Sequence, residues 1–369
     1  MKAGFVYCDD MTKYDMGVDH PLRPERLRLT KELISAYGLI AQGQLIAPEL
    51  ATEADILTVH KPDYIAAVRK LSEGKDISDP WRYGFDYGDN KPFPGMYEAS
   101  LLYTGASIKA AELIMEGQFE RCFNISGGLH HAMPNRASGF CIFNDPAIAI
   151  QRLRKKFSRI AYIDIDAHHG DGVQHIFYDT NTVLTISMHE SGRYLFPGTG
   201  FVNEIGTGKG KGYSVNIPLE PYTPSDVMVW AFKEIVPPLI KAYDPQVIVA
   251  QLGVDSHFQD PLAHLELTSR GFDELVKTII SFEKPLVALG GGGYNIKTVA
   301  RLWTLAYARL LEVEISDAIP ADFASRHNIH RLHDVELPIT TEERRRTTFE
   351  AAQETVQLIK EIVFPYHFS

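Results

Sequence analysis

The chain has little cysteine. Cys8, Cys122 and Cys141 are the only three. An odd number without Cys-x-x-Cys spacing excludes a disulfide framework and fits reduced thiols in a cytoplasm. Long hydrophobic runs are missing as well, and no apolar stretch approaches the roughly 20 residues that span a bilayer. The segment Met1 to Tyr7 is too short in its apolar part for a signal peptide. Positive charge is in deficit, with 37 Lys and Arg against 47 Asp and Glu and a net charge of -10. That argues against general nucleic-acid binding, which needs a basic surface, and is compatible with cationic substrates. Repeats, linkers and low-complexity tracts are absent, so a single domain over 1–369 is expected. No serine or cysteine stands in a credible nucleophile setting, so no covalent intermediate is expected, and Cys141 reads as a packed small residue.

What is present is an ordinary globular composition of 369 residues, 45% hydrophobic and 23% charged. Short apolar runs recur at Gly4–Cys8, Arg121–Ile125, Ile160–Ile165, Val183–Met188, Tyr213–Ile217, Val247–Leu252 and Leu286–Leu289. Helical patterns lie between many of them, including Tyr97–Glu116, Pro146–Lys156, Pro224–Tyr243 and Ser269–Phe282. This alternation predicts an α/β fold with a mostly parallel sheet covered on both faces. Pro24 opens a helix that runs to about Tyr37. Ser78–Gly95, rich in Gly, Pro, Asp and aromatics, reads as a long surface loop. Thr341 to about Ile362 reads as a charged amphipathic helix packed on the outside.

Polar residues gather where strands end. Tyr162 to Gly172 places Asp164, Asp166, His168, His169 and Asp171 directly after a buried strand. In extended chain, alternate side chains share a side, which would put Asp164, Asp166 and His168 together. Charges at a buried strand end must be paired, and carboxylate with imidazole suits a divalent metal. His130 and His131 follow another strand, Asp255 a third and Tyr294 a fourth. Ligands bind at the carboxyl ends of parallel strands, so the four segments converge on one place.

Asp166, His168 and Asp255 would supply three ligands, leaving positions for water and substrate. The oxygen-rich set suits zinc, and Fe(II) or Co(II) as well. A His pair beside such a metal suits acid–base work, with Asp164 and Asp171 each orienting one imidazole. Gly290–Gly293 lacks the Lys-Ser/Thr of a phosphate loop and reads instead as a tight turn aiming the Tyr294 phenol at a developing oxyanion. Together these parts describe an amide hydrolase that uses metal-activated water.

The segments Gly128–Ala132, Gly139–Asp145, Asp164–Gly172, Gly253–Asp255 and Gly290–Tyr294 together resemble the histone deacetylase superfamily. Within it the chain is similar to the bacterial acetoin-utilisation-type deacetylases, which are close to class I enzymes. The resemblance runs from His20 to about Leu311. It implies an arginase–deacetylase fold, a three-layer αβα arrangement around a central, mostly parallel eight-stranded sheet. It implies zinc on Asp166, His168 and Asp255, and His131 with Asp171 as principal base and acid. His130 with Asp164 would be the supporting pair and Tyr294 the oxyanion donor. Gly139, Phe140, Phe196 and Leu262 would line a narrow tunnel for an acetyl-lysine stem. Asp89 would grip substrate backbone at the rim, although the proline in Asp89-Asn90-Lys91-Pro92-Phe93 departs from the family's spacing. Arg26 matches an internal-pocket arginine, with a surface or N-terminal-helix salt bridge as its alternative. Two structural potassium sites are implied, one using Asp164, Asp166, His168, Ser187 and Met188, the other Phe177, Thr180, Val183 and Tyr213. The implied substrate is an acetylated lysine of a protein or peptide, with acetyl-CoA synthetase the expectation for bacterial members. Neither nucleic acid nor membrane is an expected partner, and oligomeric state stays open.

Three rivals share parts of this reading. A dimanganese ureohydrolase would need a further carboxylate where His257 stands. An acetylpolyamine amidohydrolase would share the chemistry and differ at the rim. A non-catalytic reader of acetyl-lysine would lack a metal ligand or the tyrosine, and all of these are present.

Overall fold

Runs rich in Val, Ile, Leu and Phe form eight strands in a computed structural model that describes residues 2–85 and 88–368. They are β1 (Ala3–Val6), β2 (Gln44–Ile46), β3 (Arg121–Asn124), β4 (Ile160–Asp164), β5 (Val183–Glu190), β6 (Ser214–Leu219), β7 (Val247–Gln251) and β8 (Leu286–Leu289). All pairings are parallel, and the order is β2-β1-β3-β8-β7-β4-β5-β6. Every residue of β3, β4, β5, β7 and β8 is buried, as a sheet covered on both faces requires.

The sequence runs locate seven strands, with small shifts in their ends. The first spans Ala3–Val6 rather than Gly4–Cys8, and β5 continues past Met188 to Glu190. β2 was not expected. It is a three-residue edge strand with Gln44 and Leu45 exposed, so it carries no alternating pattern to read.

Helices cover both faces. Met96–Met115 packs on β3 and β8 together with Asp145–Leu153, and Ile296–Leu311 packs along Glu25–Ala36. The outer helix Glu342–Ile362 lies on Ser225–Tyr243 and β6, burying Thr348, Ala352, Val356 and Ile359 at helical spacing. Thr341 caps it, its hydroxyl accepting the Arg344 N–H at 3.2 Å. The segment Ser78–Gly95 is a loop pinned inward by buried Phe85 and Phe93, with a 3₁₀ turn at Pro80–Tyr83. Asp86 and Tyr87 lie outside the described residues. No helix among the described residues is long and apolar enough to cross a membrane.

A buried ionic knot at Asp334 helps to fasten the chain after Leu311. Arg301 donates twice to Asp334 Oδ1 at 3.0 and 2.9 Å, His257 Nε2 lies 3.1 Å from both Asp334 oxygens, and Ser269 N donates to Oδ2 at 2.7 Å. Burial opposes ionisation of Asp334, but His257 and Arg301 hold its carboxyl far below the usual range. Asp334→Ala is expected to lower unfolding stability by roughly 3–5 kcal/mol, because it strands two buried partners. Urea denaturation checks this, and a loss within about 0.5 kcal/mol would show the knot to be idle.

Candidate metal and acid–base site

The four central strands of the sheet, β3, β8, β7 and β4, are those whose carboxyl ends carry the polar motifs. Asp164 is the last residue of β4. Its Oδ2 accepts the Tyr162 hydroxyl at 2.7 Å and faces His130 Nδ1 at 2.7 Å, and its Oδ1 accepts the Asp166 N–H at 3.1 Å. Strict alternation stops there. Residues 166–168 bend, and His168 N donates to Asp166 Oδ1 at 3.0 Å. The strand argument for three side chains on one side therefore fails beyond Asp164. The bend, not the pleat, turns Asp166 and His168 toward Asp255.

Ligating atoms of Asp166, His168 and Asp255 all lie within 4.8 Å of one another, and all three residues are buried. Asp255 enters from the end of β7, its Oδ1 accepting Ala167 N–H at 2.7 Å and its Oδ2 lying 2.9 Å from His168 Nδ1. Burial, and next the Asp166 charge, push the Asp255 carboxyl up to about 7. Burial opposes a charged His168, but Asp255 and Asp166 hold it well above its ordinary value. Two buried carboxylates and an imidazole compensated mainly by each other form a donor set that a divalent cation satisfies.

The tetraglycine turn makes room for the two carboxylates. A Cβ at Gly292 would stand 2.0 Å from Asp255 Oδ2 and 2.9 Å from Asp166 Oδ2. The Gly292 N–H donates to Asp166 Oδ2 at 2.7 Å. Glycine is thus required at 292 by the close approach of backbone to these carboxylates.

His130 and His131 stand side by side with their Nε2 atoms 3.0 Å apart. His130 Nδ1 is held by Asp164 and His131 Nδ1 by Asp171, the latter at 2.7 Å. Burial lowers His130, but Asp164 and Asp166 outweigh it and raise its pKa to about 9. Burial and the charge of His130 instead lower His131. The two imidazoles are thereby shifted in opposite directions, His130 toward its charged form and His131 toward its neutral form. The turn before them places Gly128 at φ +88° against the Gly290–Gly291 backbone. Asp145, at the start of Asp145–Leu153, accepts the Gly128 and Leu129 N–H groups at 3.0 and 2.9 Å. Asn144 Nδ2 donates to the His130 and Ala132 carbonyls.

Tyr294 lies across from these groups, with its ring edge-on to Phe140 at 5.8 Å. Burial, and then the Asp255 and Asp166 carboxylates, raise the phenol far above its ordinary value, so it stays protonated and can donate. His130, His131, Gly139, Phe140, Asp166, Gly292 and Tyr294 line one narrow internal gap. Gly139 is wedged there, since a Cβ would meet His131 Cδ2 at 2.4 Å and Phe196 Cε1 at 2.9 Å. The Phe196 ring packs edge-on to His131 at 5.0 Å. Phe140 also belongs to an outer cavity of about 500 Å³ that includes His20, Asp89 and Leu262. Asp89 is exposed, and its backbone carbonyl faces His20 Nε2 at 3.2 Å.

Among the described residues Arg26 forms no salt bridge, and its burial sets the surface alternative aside. It is buried, donates to the Gly291 carbonyl at 2.6 Å and lies 5.2 Å over the Trp303 ring. Of the residues that the resemblance assigned to potassium, Ser187 neighbours Asp164 in the β4–β5 register, with buried Met188 following it. Phe177, Thr180, Val183 and Tyr213 gather near the opposite end of β5. There the Phe177 carbonyl accepts Thr180 N–H at 3.3 Å and the Tyr213 carbonyl accepts Thr185 N–H at 2.9 Å.

Two side chains of the site carried no signal in the sequence reading, and a third, Asp145, stood in the motif Gly139–Asp145 without a role. Gln251 donates to Asp166 Oδ2 at 2.6 Å and to the Gly128 carbonyl at 3.2 Å. Asp260 accepts the Tyr294 N–H at 2.7 Å and the Leu262 N–H at 3.0 Å. Asp145 holds the histidine turn. Each acts through backbone or a ligand far away in sequence. The position of Gln251 as the last residue of β7, four before Asp255, was the available clue.

A family model described as histone deacetylase domain matches residues 20–310. The acetoin utilization protein AcuC of Bacillus subtilis (strain 168) is 40% identical over 327 residues, 86% of this chain and 84% of that protein. That of Staphylococcus aureus (strain MRSA252) is 39% identical over 88% of this chain and 86% of its own length. Among solved structures, a histone deacetylase homologue complexed with SAHA superposes with a TM-score of 0.87 at 32% identity, over 96% of this chain and 100% of that one. A homologue from Aquifex aeolicus gives 0.86 at 32% identity, with the same coverage. The chain belongs to the histone deacetylase family, resembles its acetoin-utilisation members over most of its length, and is a deacetylase with the arginase–deacetylase fold.

Proposed function

We propose that the protein is a zinc-dependent hydrolase that removes acetyl groups from the side-chain amine of lysine in proteins or peptides. One observation carries the reading: two His–carboxylate pairs and a protonated phenol face a compact Asp-His-Asp donor set. Asp166, His168 and Asp255 would hold the metal. Bound zinc supplies a Lewis acid for the acetyl carbonyl and brings the pKa of water to about 7.

The chain's own residues do the rest. His131, its tautomer fixed by Asp171, takes the proton of the attacking water at Nε2 and returns it to the leaving lysine amine. His130, paired with Asp164, stays cationic and stabilises negative charge. Tyr294 donates its hydroxyl proton in a hydrogen bond to the oxyanion of the tetrahedral carbon. Phe140, Gly139 and Phe196 flank the lysine stem, with Leu262 and Asp89 at the mouth. Potassium would be held by the two sets near the ends of β5. Exchange of K⁺ for a bulky organic cation is then expected to lower the melting temperature.

His131→Ala is expected to cost more activity than His130→Ala, by about tenfold, since the first removes the proton carrier and the second a charge. Steady-state kcat decides, and the reverse ranking would exchange their roles. Hydroxamates, which offer two oxygens to a metal, are expected to inhibit competitively. Full turnover at millimolar hydroxamate would contradict an open metal position. Acetyl-lysine peptide against N-acetylputrescine is the substrate test. Preference for the peptide supports this reading, whereas preference for the diamine would make the protein an acetylpolyamine amidohydrolase.

A further inference from the structure

Glu190 ends β5, and its side chain has no solvent exposure. Both carboxylate oxygens go to one residue. Oε2 accepts the His264 N–H at 2.7 Å, and Oε1 faces His264 Nδ1 at 2.9 Å. The imidazole itself is half-exposed, at 50%. A buried carboxylate held this way is costly, and an apolar pair of the same size would stabilise the fold as well or better. Two parallel hydrogen bonds fix orientation, which an apolar contact does not.

The clasp joins the two halves of the site. On one side, the Glu190 N–H donates to the Ala167 carbonyl at 2.9 Å, and the Ala167 N–H donates to Asp255 Oδ1. Ala167 lies between the metal-ligand positions Asp166 and His168. On the other side, His264 anchors the segment 257–264. Within that segment Asp260 Oδ1 accepts Leu262 N–H, and Asp260 Oδ2 accepts the Tyr294 N–H at 2.7 Å. A continuous path of hydrogen bonds and short backbone thus runs from the metal-ligand bend through Glu190 and His264 to the backbone of Tyr294. The same strap carries Leu262 at the channel mouth.

We propose that Glu190 is a positioning residue for deacetylation: by clasping His264 it sets the distance between the Tyr294 hydroxyl and the metal ligands. The inference rests on the role proposed above for Tyr294. Misplacement of a reacting group by about 1 Å costs on the order of 10²-fold, so a loosened strap has a measurable effect on turnover.

The test compares zinc-loaded, full-length Glu190→Ala, Glu190→Gln and His264→Ala proteins on an acetyl-lysine peptide. Metal content and amide hydrogen exchange are read alongside kcat and KM. Glu190→Ala is expected to keep one equivalent of metal and lose about tenfold or more in kcat, with KM changed by less than about threefold. Glu190→Gln can still accept from His264 N and donate to Nδ1, so its kcat is expected within about threefold of the parent. Wild-type kcat in Glu190→Ala overturns the proposal, and so does a Gln variant as impaired as the Ala variant. His264→Ala removes one of the two bonds at a half-exposed position and is expected to fall between them; an unchanged kcat there also overturns it. Amide exchange at Leu262 and Tyr294 reads the clasp without turnover and should accelerate about tenfold in Glu190→Ala. An inactive parent with accelerated exchange in the variant sinks the deacetylase mechanism and keeps the clasp. An active parent with unchanged exchange and unchanged kcat sinks the clasp alone.

Discussion

Tyr294→Phe is expected to lose about 10²-fold or more in kcat while binding of substrate is largely kept. The phenol sits at the end of the tetraglycine turn. Gly291 and Gly293 adopt φ of +131° and +137°, and the Tyr294 N–H is held by Asp260 at 2.7 Å. Its ring is fixed against Phe140. The substitution removes one oxygen and leaves that scaffold in place, so a loss in kcat reports the hydroxyl and not a displaced loop. Burial and the Asp255 and Asp166 carboxylates keep the hydroxyl protonated, so it is a donor throughout the working pH range. Donation to charge that develops only in the transition state raises kcat and leaves ground-state binding alone. Steady-state kinetics with a direct measure of substrate affinity separates the two, and unchanged turnover would remove Tyr294 from the mechanism.

Asp255→Ala is expected to abolish both stoichiometric metal binding and measurable activity. Three ligating groups become two, and Ala167 N–H loses the acceptor that fixes the bend between Asp166 and His168. A closed three-donor set with room for exchangeable ligands is the least that a catalytic zinc site retains. Asp255→Asn separates metal loss from collapse of the bend. Its amide oxygen can still accept from Ala167, yet it brings no negative charge to the donor set. The Asn protein should therefore remain folded, with the bend intact, while binding metal far more weakly. Metal analysis after gel filtration checks both variants, and one tightly held equivalent in the Ala variant would contradict the assignment.

The sequence disclosed the sheet and the candidate metal cluster for different physical reasons. Strands β3, β4, β5, β7 and β8 are buried on both faces, which favours runs rich in apolar residues that stand out from their surroundings. β2 is exposed at the sheet edge, where burial imposes no pattern. Asp166, His168, Asp255 and Tyr294 were legible because charge and phenol directly after a buried strand are costly without a partner. Their convergence at the carboxyl ends of parallel strands agrees with the sheet, whereas the alternation argument for Asp164, Asp166 and His168 does not extend past Asp164. Alternation holds Tyr162 and Asp164 on one face, but beyond Asp164 the chain bends. Gln251, Asp260 and Glu190 were not legible, and Asp145 was visible only as part of a motif, without its role. Their work is to hold backbone groups and side chains in other segments, and Asp260 lies 34 residues from the amide that it accepts. Such pairings arise only when the loops after β3, β4, β7 and β8 are brought together, which no spacing along the chain records.

The account depends most on one cation between Asp166, His168 and Asp255. The direct measurement is acetate release from an acetyl-lysine peptide by protein stripped with a chelator and then titrated with zinc. The account predicts negligible release from the stripped protein and a rise that saturates at one equivalent. Full activity in stripped protein, confirmed metal-free by elemental analysis, would contradict it.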